Sequence, residues 1–336
     1  MNEGISYLKK KGIKGIPLYD KKKNIWLDLK KYKLDYAFLN SPWEGSWPED
    51  YWIKNLSKFL RVCYIPYGIT AAKMYNEQFN QDFHHKCWKI FAESPFHKKL
   101  FAKYSDIKDR NVEVSGYPKL DFYNIKRVNN PWNKDAKDKY KIIWAPHWTV
   151  GDTSDVLSSS FLRLYDYFYK LLKERKDIYL LIKPHPGLWP NLVKQKIMSK
   201  KQVDNLIQNF KDLPNCEFYS EPGYFPYFKY SDAMILDSIS FITEYLPTKK
   251  PMLFITQGDL HKFNEYGEKI MKCLYKAWTE DEITSFINNV VAGGEDKMYN
   301  SRLETIRDCI YIPREGAGHV IVNSIVKEHS YEGLQK

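Results

Sequence analysis

Short apolar runs of four to six residues, each followed by a polar stretch of turn or helix length, recur along the chain. The rhythm is clearest in the second half. Ile142–Ala145 (IIWA), Ile178–Ile182 (IYLLI), Cys216–Tyr219, Ala233–Leu236 (AMIL) and Pro251–Ile255 (PMLFI) are predicted strands. Between them, Phe161–Lys173 carries apolar residues at 161, 164, 165, 168, 171 and 172, the spacing of one helical face. Val203–Phe210, Pro226–Ser231 and Ser238–Leu246 predict further helices. In the first half the strand candidates are Gly15–Tyr19, Asp35–Leu39, Arg61–Ile65, Lys89–Glu93 and Val112–Ser115. Ser94-Pro95 is a helix start, and Ile5–Lys11 reads as the end of a helix stopped by Gly12. Strands alternating with helices predict a parallel sheet in each half: an α/β protein of two Rossmann-like domains facing a cleft.

Between the halves the apolar rhythm fails, which gives the expected division. Residues 1–126 form a first domain, short or trimmed at its start, and 127–141 a linker. Residues 142–313 form a second domain, and 314–336 a C-terminal helical segment, with a crossing back to the first domain in view.

Composition narrows the class. Of 336 residues, 52 are Lys or Arg and 41 Asp or Glu, a formal charge of +11, so anionic partners are expected. No apolar run approaches the roughly 18 residues that span a bilayer, and the start lacks an apolar stretch of signal-peptide length. Five scattered cysteines without a C-x-x-C pair disfavour a disulfide scaffold or zinc ribbon. The expectation is a cytoplasmic protein, with peripheral attachment to an anionic membrane surface at the inner face of the cell membrane as a lesser alternative.

Ligands of open α/β sheets bind beyond the carboxyl ends of the strands, so the residues there are the candidates. They are His147, Trp148 and Thr149; Lys183 and His185; Asp237, Ser238 and Ser240; and Gln257. Lys183-Pro184-His185-Pro186 delivers a cation and an imidazole at a strand end, with two prolines fixing the backbone. Such an imidazole can act as a general base or bind phosphate. Ser238 and Ser240 at a helix start can hold an anion with the first-turn amides, or merely cap the helix. Glu244, about two turns in, can grip a nucleotide ribose. His84-His85 makes a weak metal pair, and residues 116–121 read as a turn that shapes the backbone. There is no P-loop, no dinucleotide fingerprint and no Asp-x-Asp after a strand, so neither metal nor cofactor is called for, and no nucleic-acid motif is present.

Several motifs in order carry a resemblance: G-Y-P-x-x-D (116–121), A-P-x-W (145–148), K-P-H-P (183–186) and S-D-x-x-I-x-D-x-x-S (231–240), followed by K-K-P-x-L-F (249–254). Together they resemble the CDP-glycerol glycerophosphotransferase family, the teichoic-acid and capsule polymerases of GT-B type, over about residues 60–325. The resemblance implies a CDP-linked donor in the second domain and a glycan or lipid-linked acceptor presented by the first. It implies metal-independent transfer of glycerol phosphate or ribitol phosphate to a hydroxyl, with CMP leaving. His185 matches the family's functional histidine, Asp237 and Ser240 its D-x-S-S element, and Glu244 an acidic position beyond it. His147 and Asp237 join His185 as catalytic candidates. Lys183, Thr149, Ser238, Ser240 and Glu244 are the donor or phosphate ligands. The family's N-terminal His-Gly pair falls at Tyr67-Gly68 on the acceptor side, and a tyrosine, with an unperturbed pKa of about 10, is no easy base at neutral pH. The alternatives are a GT-B glycosyltransferase using a nucleotide sugar and a catalytically weak CDP-binding scaffold.

Overall fold

The structure, a computed structural model, describes residues 8–9, 12–150, 159–221, 223–256 and 262–333. Gln257 and most of the Ile5–Lys11 segment lie outside them; Leu8 and Lys9 are helical, and Gly12 follows at φ +72°.

A first sheet holds four parallel strands in sequential order: β1 (Tyr36–Leu39), β2 (Arg61–Tyr64), β3 (Lys89–Ala92) and β4 (Val112–Val114). After β3, Ser94 accepts a bond from the His97 amide and opens helix α1 (Pro95–Tyr104), with Pro95 in the first turn where no amide is needed. The expected strand at Gly15–Tyr19 reduces to Tyr19–Asp20, paired antiparallel with Ile25–Trp26. Ile16 and Leu18 are exposed, so that segment has no apolar face to bury.

The second sheet holds β5 (Tyr140–Ala145), β6 (Ile178–Ile182), β7 (Cys216–Phe218), β8 (Ala233–Leu236), β9 (Met252–Ile255) and β10 (Tyr275–Ala277). All pair in parallel, in the order β10-β9-β8-β5-β6-β7. This is the doubly wound order whose switch point falls between β5 and β8. Strand β5 begins at Tyr140, inside the stretch where the apolar rhythm fails. Alternation along the strands decides the layers. Ile142, Trp144, Leu180, Ile182 and Ile235 pack on one face with Phe161, Leu164, Phe168 and Leu172 of helix α2 (Phe161–Glu174). Ile143, Ala145, Leu181, Met234 and Leu236 face the other way, into a core continuous with Val62, Ile90 and Leu100 of the first lobe.

Several contacts join the lobes. Ala72 bridges Phe263, and the Asn264 amide donates to the Ala71 carbonyl at 2.9 Å. Gly267 makes this approach possible, because a Cβ there would lie 2.4 Å from that carbonyl oxygen. Next to it, the Glu265 carboxylate accepts bonds from Tyr75 (3.0 Å), Lys103 (2.6 Å) and Tyr104, whose ring stacks on that of Tyr75. The chain ends by returning to the first sheet. Helix α3 (Ala317–Gly333) packs Ile321 against Cys63 and Phe91, and Lys89 reaches Ser324 (2.8 Å) and Glu328 (2.7 Å). Asp121 caps α3 from a distance, accepting the amides of Ala317 (2.6 Å) and Gly318 (3.0 Å). Among the described residues no helix is long and apolar enough to cross a membrane.

Two outcomes are expected. Asp121→Ala leaves two helix-end amides without an acceptor and destabilises by about 1 kcal/mol, read as a lower thermal midpoint, with Asp121→Asn in between. For Glu265, burial works to raise the carboxyl pKa, but the bonds from Lys103, Tyr104 and Tyr75 outweigh it and hold it at about 2. A depressed carboxyl stabilises the fold fully above its unfolded value of about 4.5 and progressively less as pH falls toward 2. Glu265→Gln is therefore less stable than wild type at neutral pH and flatter in its loss of stability between pH 4.5 and 2; parallel acid limbs would refute the clamp.

Candidate active site

The parallel register sets Ala145 beside Leu236, so the residues that follow, Pro146-His147 and Asp237-Ser238, emerge together at the switch point. Asp237 is 2% exposed, and a carboxylate there needs partners. It accepts the His147 amide (2.5 Å) on one oxygen and the Ser160 amide (2.5 Å) and hydroxyl (2.6 Å) on the other. Burial raises its pKa, and these bonds oppose the rise. Its oxygens are thus committed to holding the loop after β5 and the start of α2. It is not among the residues that line the cleft, and its bonds brace the loops that frame it.

Lys183 continues β6, its amide donating to the Trp144 carbonyl at 2.8 Å, and the His185 amide donates to the Pro146 carbonyl at 3.1 Å. These bonds pin the K-P-H-P segment against the loop after β5. Beyond the strand ends lies a cleft of about 370 Å³, lined among others by Tyr67, Gly68, Lys119, Lys183, His185, Ser238, Ser240 and Glu244. Of the expected site residues that are described, His147, Trp148, Thr149 and Asp237 are not part of its lining.

Lys183 is 5% exposed, its ammonium 5.2 Å from the ring centre of Tyr224 and 6.0 Å from those of Tyr219 and Phe241. Such rings attract a cation but do not neutralise it. Among the described residues no carboxylate lies within ion-pair distance of it. Burial lowers its pKa, Glu244 raises it and Lys119 lowers it again.

Glu244, 2% exposed, sits in the short helix Ile239–Tyr245. One oxygen accepts from the Tyr117 hydroxyl and Lys119 ammonium, both at 3.3 Å, and the other from the Tyr224 hydroxyl. Tyr123 donates to its carbonyl at 2.7 Å. Tyr117, Lys119 and Tyr123 belong to the 116–124 segment after β4, so this carboxylate ties the lobes across the cleft. The turn at 116–121, expected to shape the backbone more than to do chemistry, supplies Lys119 to the cleft and Tyr117 to Glu244.

The His185 ring is fixed by the Gly187 amide, which donates to Nδ1 at 3.0 Å. With Nδ1 accepting, the neutral ring carries its proton on Nε2 and presents a donor. His147 packs beside it, ring centres 5.8 Å apart, with Nδ1 2.8 Å from the Thr149 hydroxyl. Burial, then the neighbouring His185, pushes the His147 pKa down to about 4; burial, then Lys183, lowers that of His185.

Ser238 stands at the N-cap of Ile239–Tyr245 without a side-chain cap bond. Ser240, exposed, borders both the cleft and an adjoining pocket of about 180 Å³. Tyr67 and Gly68 are the other residues the two share, and Trp43, Thr70, Met74 and Gln78 are among those that line the rest of the pocket. Tyr67 is 55% exposed, and its carbonyl accepts the Tyr117 hydroxyl at 2.6 Å. No cluster of three or more His, Cys, Asp or Glu suited to a metal ion occurs among the described residues; His84 is buried with Nδ1 accepting the Gln81 amide. Missing from the expected set were Lys119 and Tyr224. Lys119 had a signal, in its place within the G-Y-P-x-x-D motif; Tyr224 had none, being in a loop brought in by the fold.

Comparison with known proteins now places the chain. No curated protein sequence matches it. Among solved structures, the UDP co-structure of S. aureus MnaA aligns over 97% of this chain and 85% of its own, at 15% identity and a TM-score of 0.61. A variant of the wall teichoic acid polymerase TagF aligns over 90% and 74%, at 13% identity and 0.60. A TagF variant soaked with CDPG aligns over 88% and 72%, at 15% and 0.56. At these identities the likeness is one of fold, two lobes of parallel α/β sheet in the GT-B arrangement. The family model described as CDP-Glycerol:Poly(glycerophosphate) glycerophosphotransferase matches residues 66–290, about two thirds of the chain, which spans the second sheet and two strands of the first. The chain therefore belongs to the CDP-glycerol glycerophosphotransferase family.

Proposed function

We propose that this chain transfers a polyol phosphate, glycerol phosphate or ribitol phosphate, from a CDP-linked donor to a hydroxyl of a cell-surface glycan. The observation that carries the reading is Lys183: a cation almost wholly buried in a cleft, framed by aromatic rings and lacking an ion-pair partner among the described residues. A pyrophosphate supplies the missing charge. Family membership supports a CDP-linked donor, as does the soaking of a TagF crystal with CDPG.

In this reading the second lobe holds the donor, with the pyrophosphate against Lys183, His185 Nε2–H, Ser238 and Ser240, and Glu244 toward the nucleoside. The first lobe, to about residue 126, presents the acceptor through the pocket beside Tyr67-Gly68. The acceptor oxygen attacks the β-phosphorus, the bond from that phosphorus to the bridging oxygen breaks, and CMP leaves with the electron pair. The hydroxyl proton passes to solvent or to the departing phosphate. Displacement of this kind needs positioning and charge neutralisation more than covalent chemistry. Because Nδ1 of His185 is engaged, its part is to donate to the pyrophosphate and the leaving CMP; it does not take the acceptor's proton. His147 and Thr149 support that ring from behind, and Asp237 holds their loop. Tyr67, where the family has histidine, contacts the acceptor without serving as base.

Turnover tests the reading. With CDP-glycerol or CDP-ribitol and a glycan acceptor, Lys183→Ala and His185→Ala are each expected to lower CMP release by about 100-fold or more while the thermal midpoint stays near wild type. Unchanged CMP release in both, or release only from a nucleotide sugar, would overturn it. Nitrogen-15 NMR of the histidine rings tests the proton placement: His147 should titrate near pH 4 and His185 below its ordinary 6.5, with the neutral His185 proton on Nε2. A neutral His185 protonated on Nδ1 would contradict the donor role.

A further inference from the structure

A cavity larger than the cleft lies elsewhere. A groove of about 590 Å³ opens on the first lobe, lined by residues 26–30 and by Asp50, Tyr51, Asn55, Lys58 and Phe59. Its volume is that of a ligand site. We infer that it is a second binding site, for a neutral saccharide segment of a glycan.

Its aromatic walls are open to a ligand and rigidly held. Trp26 and Phe59 are each 37% exposed. The Trp26 ring is braced by Tyr19 (5.1 Å between centres), Tyr51 (5.5 Å) and Trp47 (6.0 Å). The Tyr51 hydroxyl donates to the Leu27 carbonyl at 2.5 Å, and the Lys30 ammonium lies 5.7 Å from the Phe59 ring centre. Fixed aromatic faces with little rotamer freedom left to lose suit the flat C–H face of a pyranose ring.

The polar groups complete that chemistry. Asp50 offers hydrogen-bond acceptors and Lys30 donors at the groove's edge, while Asn55 and Lys58 bond each other at 2.9 Å and fix the far side. Charge then selects the class. The chain as a whole carries +11, yet this lining pairs Asp28 and Asp50 with Lys30 and Lys58 and is formally neutral. A polyanion gains nothing from such a surface, whereas an uncharged polyhydroxyl chain finds stacking faces and both kinds of hydrogen-bonding partner. The chain leads from Trp43, in the pocket beside Tyr67, through Trp47, whose ring packs on Trp26, to Asp50 and Tyr51 of the groove. That the bound sugar is the acceptor's inner portion rests on the transfer reading; the binding itself does not.

The test is direct binding to the full chain without any donor, by calorimetry and amide NMR mapping, with cellotriose and maltotriose as probes and inorganic phosphate as the anionic control. At least one trisaccharide should bind, with shifts centred on residues 26–30 and 50–59. Trp26→Ala should weaken it tenfold or more, and Asp50→Asn, an exposed substitution that spares the fold, severalfold. Lys183→Ala should leave it unchanged, so a failed transfer reading would not carry this one down. Absence of binding by both sugars, binding that survives both groove substitutions, or phosphate shifting the same amides more strongly would each overturn the site.

Discussion

A carboxylate buried at the meeting of two lobes has to be bonded, and Glu244 is bonded from both sides. Tyr117 and Lys119 reach it from the first lobe, and Tyr224 from the second. Removing a partner from such a set leaves the buried carboxylate short of a donor, which is what resists its loss. The lobes are therefore held at the separation these bonds allow, and the cleft between them is a consequence. Because Glu244 pairs with Lys119, at 3.3 Å, and acts on the deeper Lys183 only from longer range, no carboxylate among the described residues lies within ion-pair distance of Lys183. The site's readiness for an anion follows from that division.

Asp237 applies the same constraint within the second lobe. Three bonds to the loop after β5 and the start of α2 fix where His147 lies, and His147 packs on His185. The two buried carboxylates thus brace the framework, while Lys183 and His185 Nε2–H, both donors, belong to the lining of the cleft. A site built from donors is matched to the spreading negative charge of phosphoryl transfer.

Much of this was legible in the chain. Strands of the second sheet are buried on both faces, so they appear as unbroken apolar runs, and the ends of those runs mark the ligand side. That rule picks out Lys183, His185, Ser238 and Ser240, all of which line the cleft. The three-residue edge strand Tyr275–Ala277, with only Ala277 fully buried, left too weak a pattern to see. Gly15–Tyr19 misled in the opposite sense, since apolar residues there find no layer to cover. The identity of Asp237 was legible as important, but its role is set by the groups pointing at it, which no local pattern encodes. Tyr224 and the reach of Tyr117 are tertiary in the same way.

The claim that everything else serves is that Lys183 and His185 meet a pyrophosphate. A crystal structure of the chain with CDP bound measures this most directly. The account requires phosphate oxygens at hydrogen-bonding distance, roughly 3 Å, from both Lys183 Nζ and His185 Nε2. CDP bound with its phosphates away from both side chains, or held elsewhere on the molecule, would contradict it.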